Sequence, residues 1–440
     1  MTTIGSRQAA YDIDRIRAQV PALADGTAYF DGPGGSQTPE PVARAIYETL
    51  TAPLANRGLA TAAERNAEQT VLEARSAVAD LLGATPGGVF FGRSMTHNTF
   101  ELSRALAKTW ESGDEIVVSS LDHDANVRPW VIAAAARGVT VRFAELDPLT
   151  GELDPAAVEQ VLGPRTRLVA VTAASNLIGT MPDVRAIADR VHAVGALLHV
   201  DGVHATAHVP IDVVALGADF FACSPYKFLG PHCGATWGRP EALERLAPDK
   251  LLPSTDALPE RFELGTLPYE LLAGTAAAVG FLADLIPPAA PAAPSSVAPA
   301  SVGATAPVTP ATGLTAPAGA SRRERIVASM TALEAYEDAL RRRLEQALFE
   351  LPGATVHSRA ARRTPTLLVT IDGVDLQALR AHLAARRINA PVGSFYAYEP
   401  ARRLGLGAEG GMRFGLAPYT SEEDVDRLVG ALQEYPPFRA

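Results

Sequence analysis

The chain has 440 residues, 47% of them hydrophobic, and a formal net charge of −10. That length suits two or three structural units with a sizeable core, and the acidic balance argues against a nucleic-acid or anionic-membrane partner, which requires a basic face. Two cysteines make no disulfide framework, the start holds no apolar stretch of signal-peptide type, and no run approaches the ~18 apolar residues of a membrane helix, so a cytoplasmic globular protein with reduced thiols is expected.

From the N-terminus, "EQTVLEARSAVADLLG" (68–83) has helical spacing and stops at glycine. Short apolar, β-rich runs follow: "GVFFG", "EIVVSS", "VTVRFAEL", "TRLVAVTAAS", "ALLHVDG" and "ADFFACS". Helices such as "DVRAIADRVHAVG" separate several of them. This βαβ rhythm predicts an α/β unit with a mainly parallel sheet covered on both faces. Residues 287–320 are uncharged, lack aromatics and consist mostly of Pro, Ala, Ser, Thr and Gly. Such a stretch buries too little surface to offset its ordering entropy, so a disordered linker is expected there. Beyond it come helix ("RRERIVASMTALEAYEDALRRRLEQALFEL"), strand ("TPTLLVTIDG"), helix ("DLQALRAHLAARRI"), strands and a last helix ("SEEDVDRLVGALQEY"), a smaller α+β unit. The expected division is 1–286 for an N-terminal arm and large domain, 287–320 for the linker, and 321–440 for a small C-terminal domain.

In "ACSPYKFLGPHC" (222–233), Lys227 stands just after an apolar strand. Lysine is almost never buried without a partner, and strand C-terminal ends are where α/β sheets bind ligands. Taken alone, Lys227 either snorkels to solvent or forms a Schiff base through an amine of lowered pKa. Asp201 closes another apolar run, "HVD", and a buried carboxylate wants a cationic partner. Pyridoxal 5'-phosphate (PLP) uses such a pair: lysine holds the aldehyde and aspartate the protonated pyridine nitrogen. In "VFFGRSMTHNTFELSRALA", a strand, polar turn and helix put free amides at Met95–His97 and the Thr96 hydroxyl where a phosphate can sit. Ser224 and Tyr226 flank the lysine with further hydroxyl donors.

The stretch "HVDGVHATAHVPIDVVALGADFFACSPYKFLGPHCG" resembles the core of class V aminotransferase-type PLP enzymes, fold type I, and within them the cysteine desulfurase branch. "YFDGPGGSQTP", "LDHDANVRPW", "TAASNLIGT", "RFELGT" and "MRFGLAPYTSEEDVDRL" are similar to its other motifs, in the same order. The resemblance implies a seven-stranded-type large-domain sheet and a homodimer with shared sites. It implies that His123 stacks on the pyridine ring and that Asn176 faces it. His204 takes the place near the ring oxygen where desulfurases usually have glutamine. Thr266 would reach the phosphate of the neighbouring subunit. Arg413 would grip the substrate carboxylate, and Arg57 resembles a family position that crosses the dimer interface.

The pattern also departs from the branch. A desulfurase attacks sulfur with a cysteine of the C-terminal domain, yet "INAPVGSFYAYEPARRLGLG" has none. Cys223 and Cys233 read as structural. Tyr396 and Tyr398 occupy the stretch instead, facing substrate or packing a strand with both on one face. No metal site is expected. The implied chemistry is α-deprotonation of an amino acid by Lys227, with Asp201 and His123 assisting. A carbon–sulfur lyase comes first among the outcomes, ahead of aminotransfer, epimerisation or desulfuration; a non-catalytic PLP-binding scaffold is the reading of another class.

Overall fold

The computed structural model describes residues 11–287, 319–407 and 409–438. Of the expected linker, 288–318 lies outside the described residues. After the short strand β1 (Ala28–Tyr29) comes a seven-stranded sheet: β2 (Val89–Gly92), β3 (Glu115–Ser119), β4 (Thr140–Ala144), β5 (Thr166–Thr172), β6 (Leu197–Asp201), β7 (Phe220–Cys223) and β8 (Gly234–Gly238). Its order is β2-β8-β7-β6-β5-β3-β4, and β8 alone runs antiparallel to its neighbours. Every run named above contains one of these strands. The central ones are nearly continuously buried, which is why they read as unbroken apolar runs without alternation.

The helix expected over 68–83 begins earlier, at Ala62, and ends at Leu82. Its start is a capping box: Thr61 accepts from the Glu64 amide, and the Glu64 carboxylate accepts from the Thr61 amide. Gly83 closes it with φ 66°, a left-handed cap.

β9 (Ala354–Val356), β10 (Thr366–Ile371), β12 (Val392–Gly393) and β13 (Gly411–Gly415) form an antiparallel sheet ordered β12-β13-β10-β9. β11 (Ile388–Asn389) pairs instead with β1, in parallel. The helix Arg322–Phe349 serves both sheets. Ile326, Met330 and Leu333 join the core of the large sheet, while Leu340, Leu344 and Leu348 join the core of the small one. Ala28 and Phe30, though near the N-terminus, also pack in the small core. Among the described residues no helix is long and apolar enough to cross a membrane.

Candidate active site

Parallel strands β2, β3, β5, β6 and β7 deliver their C-terminal ends to one edge of the sheet, where side chains converge on a ligand. β6 ends at Asp201, paired in register with Thr172 on β5 and Ala222 on β7. One 3-10 turn beyond β7, Pro225–Lys227 carries the lysine. Asp201 and Lys227 line one cavity of about 470 Å³, part of it open to solvent. Met95, Thr96, His123, Asn176, His204, Ser224 and Tyr226 line the same cavity. Nine of the thirteen residues singled out from sequence therefore come together.

The Asp201 carboxylate is buried and accepts the Val203 amide at 2.9 Å. Burial pushes its pKa up to about 6, against the pull of that hydrogen bond and of Lys227. Burial brings the Lys227 amine down to about 8, with the Arg413 charge adding to the shift and Asp201 opposing it. Gly202 is required here for close packing, because a Cβ on it would meet the Phe221 ring at 1.8 Å. Behind Asp201 lies a second buried carboxylate, Asp122, held by the Ser119 hydroxyl and by Asn126 Nδ2 at 2.6 Å. Burial raises its pKa as well, and Asp201 adds to the rise.

At the end of β2, Ser94 caps the helix Met95–Ala107 and accepts the His97 amide at 3.1 Å. The amides of Met95 and Thr96 precede the first helical hydrogen bond and stay available to an anion. Gly234 on β8 passes so near this turn that a Cβ would stand 2.2 Å from the Ser94 carbonyl carbon.

His123 caps the short turn Asp124–Asn126: its Nδ1 accepts the Ala125 amide at 3.0 Å. That bond and the cavity share the same ring. Burial, helped by the Lys227 and Arg413 charges, lowers its pKa to about 3, so the ring is neutral. His204 Nε2 lies 2.9 Å from Thr364 Oγ1 and 3.0 Å from Thr366 Oγ1, while its buried Nδ1 has no partner. The Asn176 side-chain oxygen is likewise orphaned. Its Nδ2 donates to Phe395 O at 3.0 Å, and its backbone oxygen accepts from Arg413 Nη1 at 2.9 Å. Arg413 sits in β13, buried, with Phe395 across its guanidinium at 3.7 Å. Burial lowers its pKa to about 9, which leaves it charged at neutral pH.

Tyr396 stands against His123, ring centroids 5.7 Å apart. It lies in a turn, and Tyr398 opens the helix Tyr398–Arg403, so neither packs a strand. Two residues stay away from the cavity. Thr266 is exposed in the segment before the helix Tyr269–Ala283. Arg57 is engaged bidentately with Glu68, at 2.8 and 3.0 Å, and with Glu260 at 3.2 Å. Cys223 and Cys233 are both buried and free. Burial raises the thiol pKa of both, Cys233 to about 11.

Sequence reasoning passed over Ser94, Thr172, Asp122 and Phe395. Thr172 and Ser94 were findable, since they sit at strand ends as Asp201 does. Asp122 and Phe395 owe their places to contacts that no local pattern encodes.

A lysine, a buried carboxylate, open helix-start amides and two orphaned polar atoms match the aldehyde, pyridine nitrogen, phosphate and phenol of PLP. Comparison with known proteins agrees. The profile of the family "Aminotransferase class-V" matches residues 28–286 and 303–428. The chain belongs to that family.

This class V protein is a cysteine desulfurase-like enzyme that uses pyridoxal 5'-phosphate. It is 32% identical over 425 residues to an uncharacterized protein of Mycobacterium tuberculosis, covering 96% of this chain and 99% of that one. It is 29% identical to a cysteine desulfurase of Klebsiella pneumoniae, covering 96% and 98%. Its fold is similar to the crystal structure of the cysteine desulfurase CsdA of Escherichia coli, with TM-score 0.79, 25% identity, and coverage of 96% and 98%.

Proposed function

We propose that this class V enzyme removes a β-substituent from an amino acid by breaking a carbon–sulfur bond. One observation carries the reading. The stretch 388–407 holds no cysteine, and the chain's two thiols are buried with raised pKa, so neither is suited to attack a substrate's sulfur. Lys227, Asp201 and His123, to which α-deprotonation falls on this reading, line one cavity.

Lys227, Asp201, His123, His204, Asn176, Ser224, Tyr226 and the Met95–Thr96 amides would hold the cofactor, which when bound acts as an electron sink for the pair left at Cα. Lys227 takes the α-proton on Nζ; with its pKa near 8 it is a usable base at neutral pH. Asp201 would hold a proton at the cofactor's pyridine nitrogen. His123, neutral, would pack against the cofactor's ring. Arg413 binds the α-carboxylate with its charged fork, in a buried setting where that attraction is strong. The enzyme would act as a homodimer, in which the exposed Thr266 reaches the phosphate of the neighbouring subunit. Arg57, held within its own chain by Glu68 and Glu260, would face the neighbouring subunit's site across the same interface.

The test is product analysis of the PLP-loaded enzyme with cysteine and S-substituted cysteines. Pyruvate and ammonia in equal amounts are expected. Alanine with a protein persulfide would make it a desulfurase, and a lasting pyridoxamine absorbance an aminotransferase. A spectral shift on amino-acid binding with no product would make it a scaffold.

A further inference from the structure

Residues 394–398 form a tight turn beside the site. The Ala397 amide donates to Ser394 O at 2.9 Å, closing a turn whose central residues Phe395 and Tyr396 have φ of 54° and 58°. Two left-handed central residues define a turn that glycine and asparagine favour and that strains aromatic residues. The turn is held by Asn176, which lines the lysine cavity, and by Asp124 and Arg413 beside it. Asn176 Nδ2 bonds Phe395 O, the Asp124 amide bonds Tyr396 O at 2.8 Å, and the Phe395 ring covers Arg413. Strain kept in place by such contacts marks functional segments.

Beside the lysine cavity, Phe395, Tyr396 and Tyr398 border a second, shallow space of about 830 Å³, much of it open to solvent. Tyr396 is 79% exposed and Tyr398 58%. The charged residues bordering it, Asp124 and Arg128, pair with each other at 2.9 Å and offer no free counter-ion to an acidic or basic side chain. A small side chain would leave both tyrosines facing water.

We propose that this space receives the substrate's side chain and selects a bulky aromatic one; on the elimination reading, on which this rests, the substrate is an S-benzyl- or S-arylcysteine. Tyr396 stacks on the incoming ring, while Phe395 keeps the Arg413 fork aimed at the α-carboxylate. The step balances without an oxidant. The Cα–H pair becomes the second Cα–Cβ bond, and the proton goes to Lys227. The Cβ–S pair leaves with the thiolate, which is protonated in turn. Water converts the remaining fragment to pyruvate and ammonia.

The test compares L-phenylalanine with L-alanine, neither of which carries a leaving group at Cβ. Their binding to PLP-loaded protein is followed by cofactor absorbance and by melting temperature. Phenylalanine should bind about tenfold more tightly, the scale of one aromatic stack. Tyr396→Ala should bring the ratio towards one without lowering the ligand-free melting temperature, and Tyr396→Phe should keep the preference. Equal binding by wild type, or a preference that survives in a Tyr396→Ala/Tyr398→Ala variant, would overturn the proposal. Turnover then separates the two readings. S-Benzylcysteine that binds tightly but yields no pyruvate sinks the elimination reading and supports the pocket; S-methylcysteine processed with equal kcat/KM overturns the pocket and spares elimination.

Discussion

Asp201 and Lys227 sit on neighbouring strand ends, both buried, and no ion pair joins them among the described residues. Without cofactor each charge is a liability, and the pH dependence of stability exposes this. An unfolded aspartate titrates near 3.9, while the native Asp201 titrates at about 6. Between those values the native state binds more protons. Stability therefore falls as pH rises through that window, by roughly 3 kcal/mol for a shift of about two units. Lys227 behaves in the opposite sense. Its native pKa of about 8 lies below the unfolded value near 10.4, so its penalty is present below pH 8 and fades as pH rises towards 10.4. Urea unfolding of cofactor-free Asp201→Asn is expected to show a flatter profile between pH 4 and 6, and a gain on the order of 1 kcal/mol at pH 7.5. A profile that matches wild type would contradict the burial argument. At Arg413 the same desolvation serves binding, and Arg413→Ala should weaken amino-acid affinity by on the order of 100-fold with little loss in melting.

The turn at 394–397 is the element where local sequence and structure disagree. Tyr396→Asn places a residue that tolerates positive φ where an exposed tyrosine now sits. Denaturant unfolding should show a gain of about 0.5–1 kcal/mol, with poorer binding of aromatic ligands; a loss of stability would mean the tyrosine packs against more than His123. That trade is expected where strain serves function. It also explains what was legible in the sequence. The runs around β2, β3 and β5 to β7 were readable because burial on both faces leaves a plain apolar signature, and Asp201 and Lys227 were readable because they break it at strand ends. "SFYAYE" alternates like a strand, yet hydrogen bonds from Asn176 and Asp124, over 200 residues away in sequence, fold it into a turn. The engagement of Arg57 by Glu260 was hidden for the same reason. The start of the helix Ala62–Leu82 was missed because its capping box precedes the apolar spacing.

For the whole chain, the family profile passes from residue 286 to 303, leaving 287–302 without a counterpart. The chain on either side docks without that stretch: the Ile286 amide donates to Ser329 Oγ at 3.1 Å, and Arg325 pairs with Asp284 at 2.9 Å. Replacing 288–318 by a Gly/Ser linker of about ten residues should leave cofactor binding intact and change stability by no more than about 1 kcal/mol, since loop length enters only logarithmically. Loss of cofactor or a larger drop in unfolding free energy would mean that the segment packs. On the proposed function the molecule breaks carbon–sulfur bonds without a nucleophilic thiol, and a chain stripped of both cysteines tests this directly. Cys223→Ala/Cys233→Ala should lose on the order of 1 kcal/mol per buried site in stability. With S-benzylcysteine it should keep most of the wild-type rate of pyruvate and ammonia release. Wild-type formation of alanine and a persulfide from cysteine, abolished in the cysteine-free chain, would contradict it.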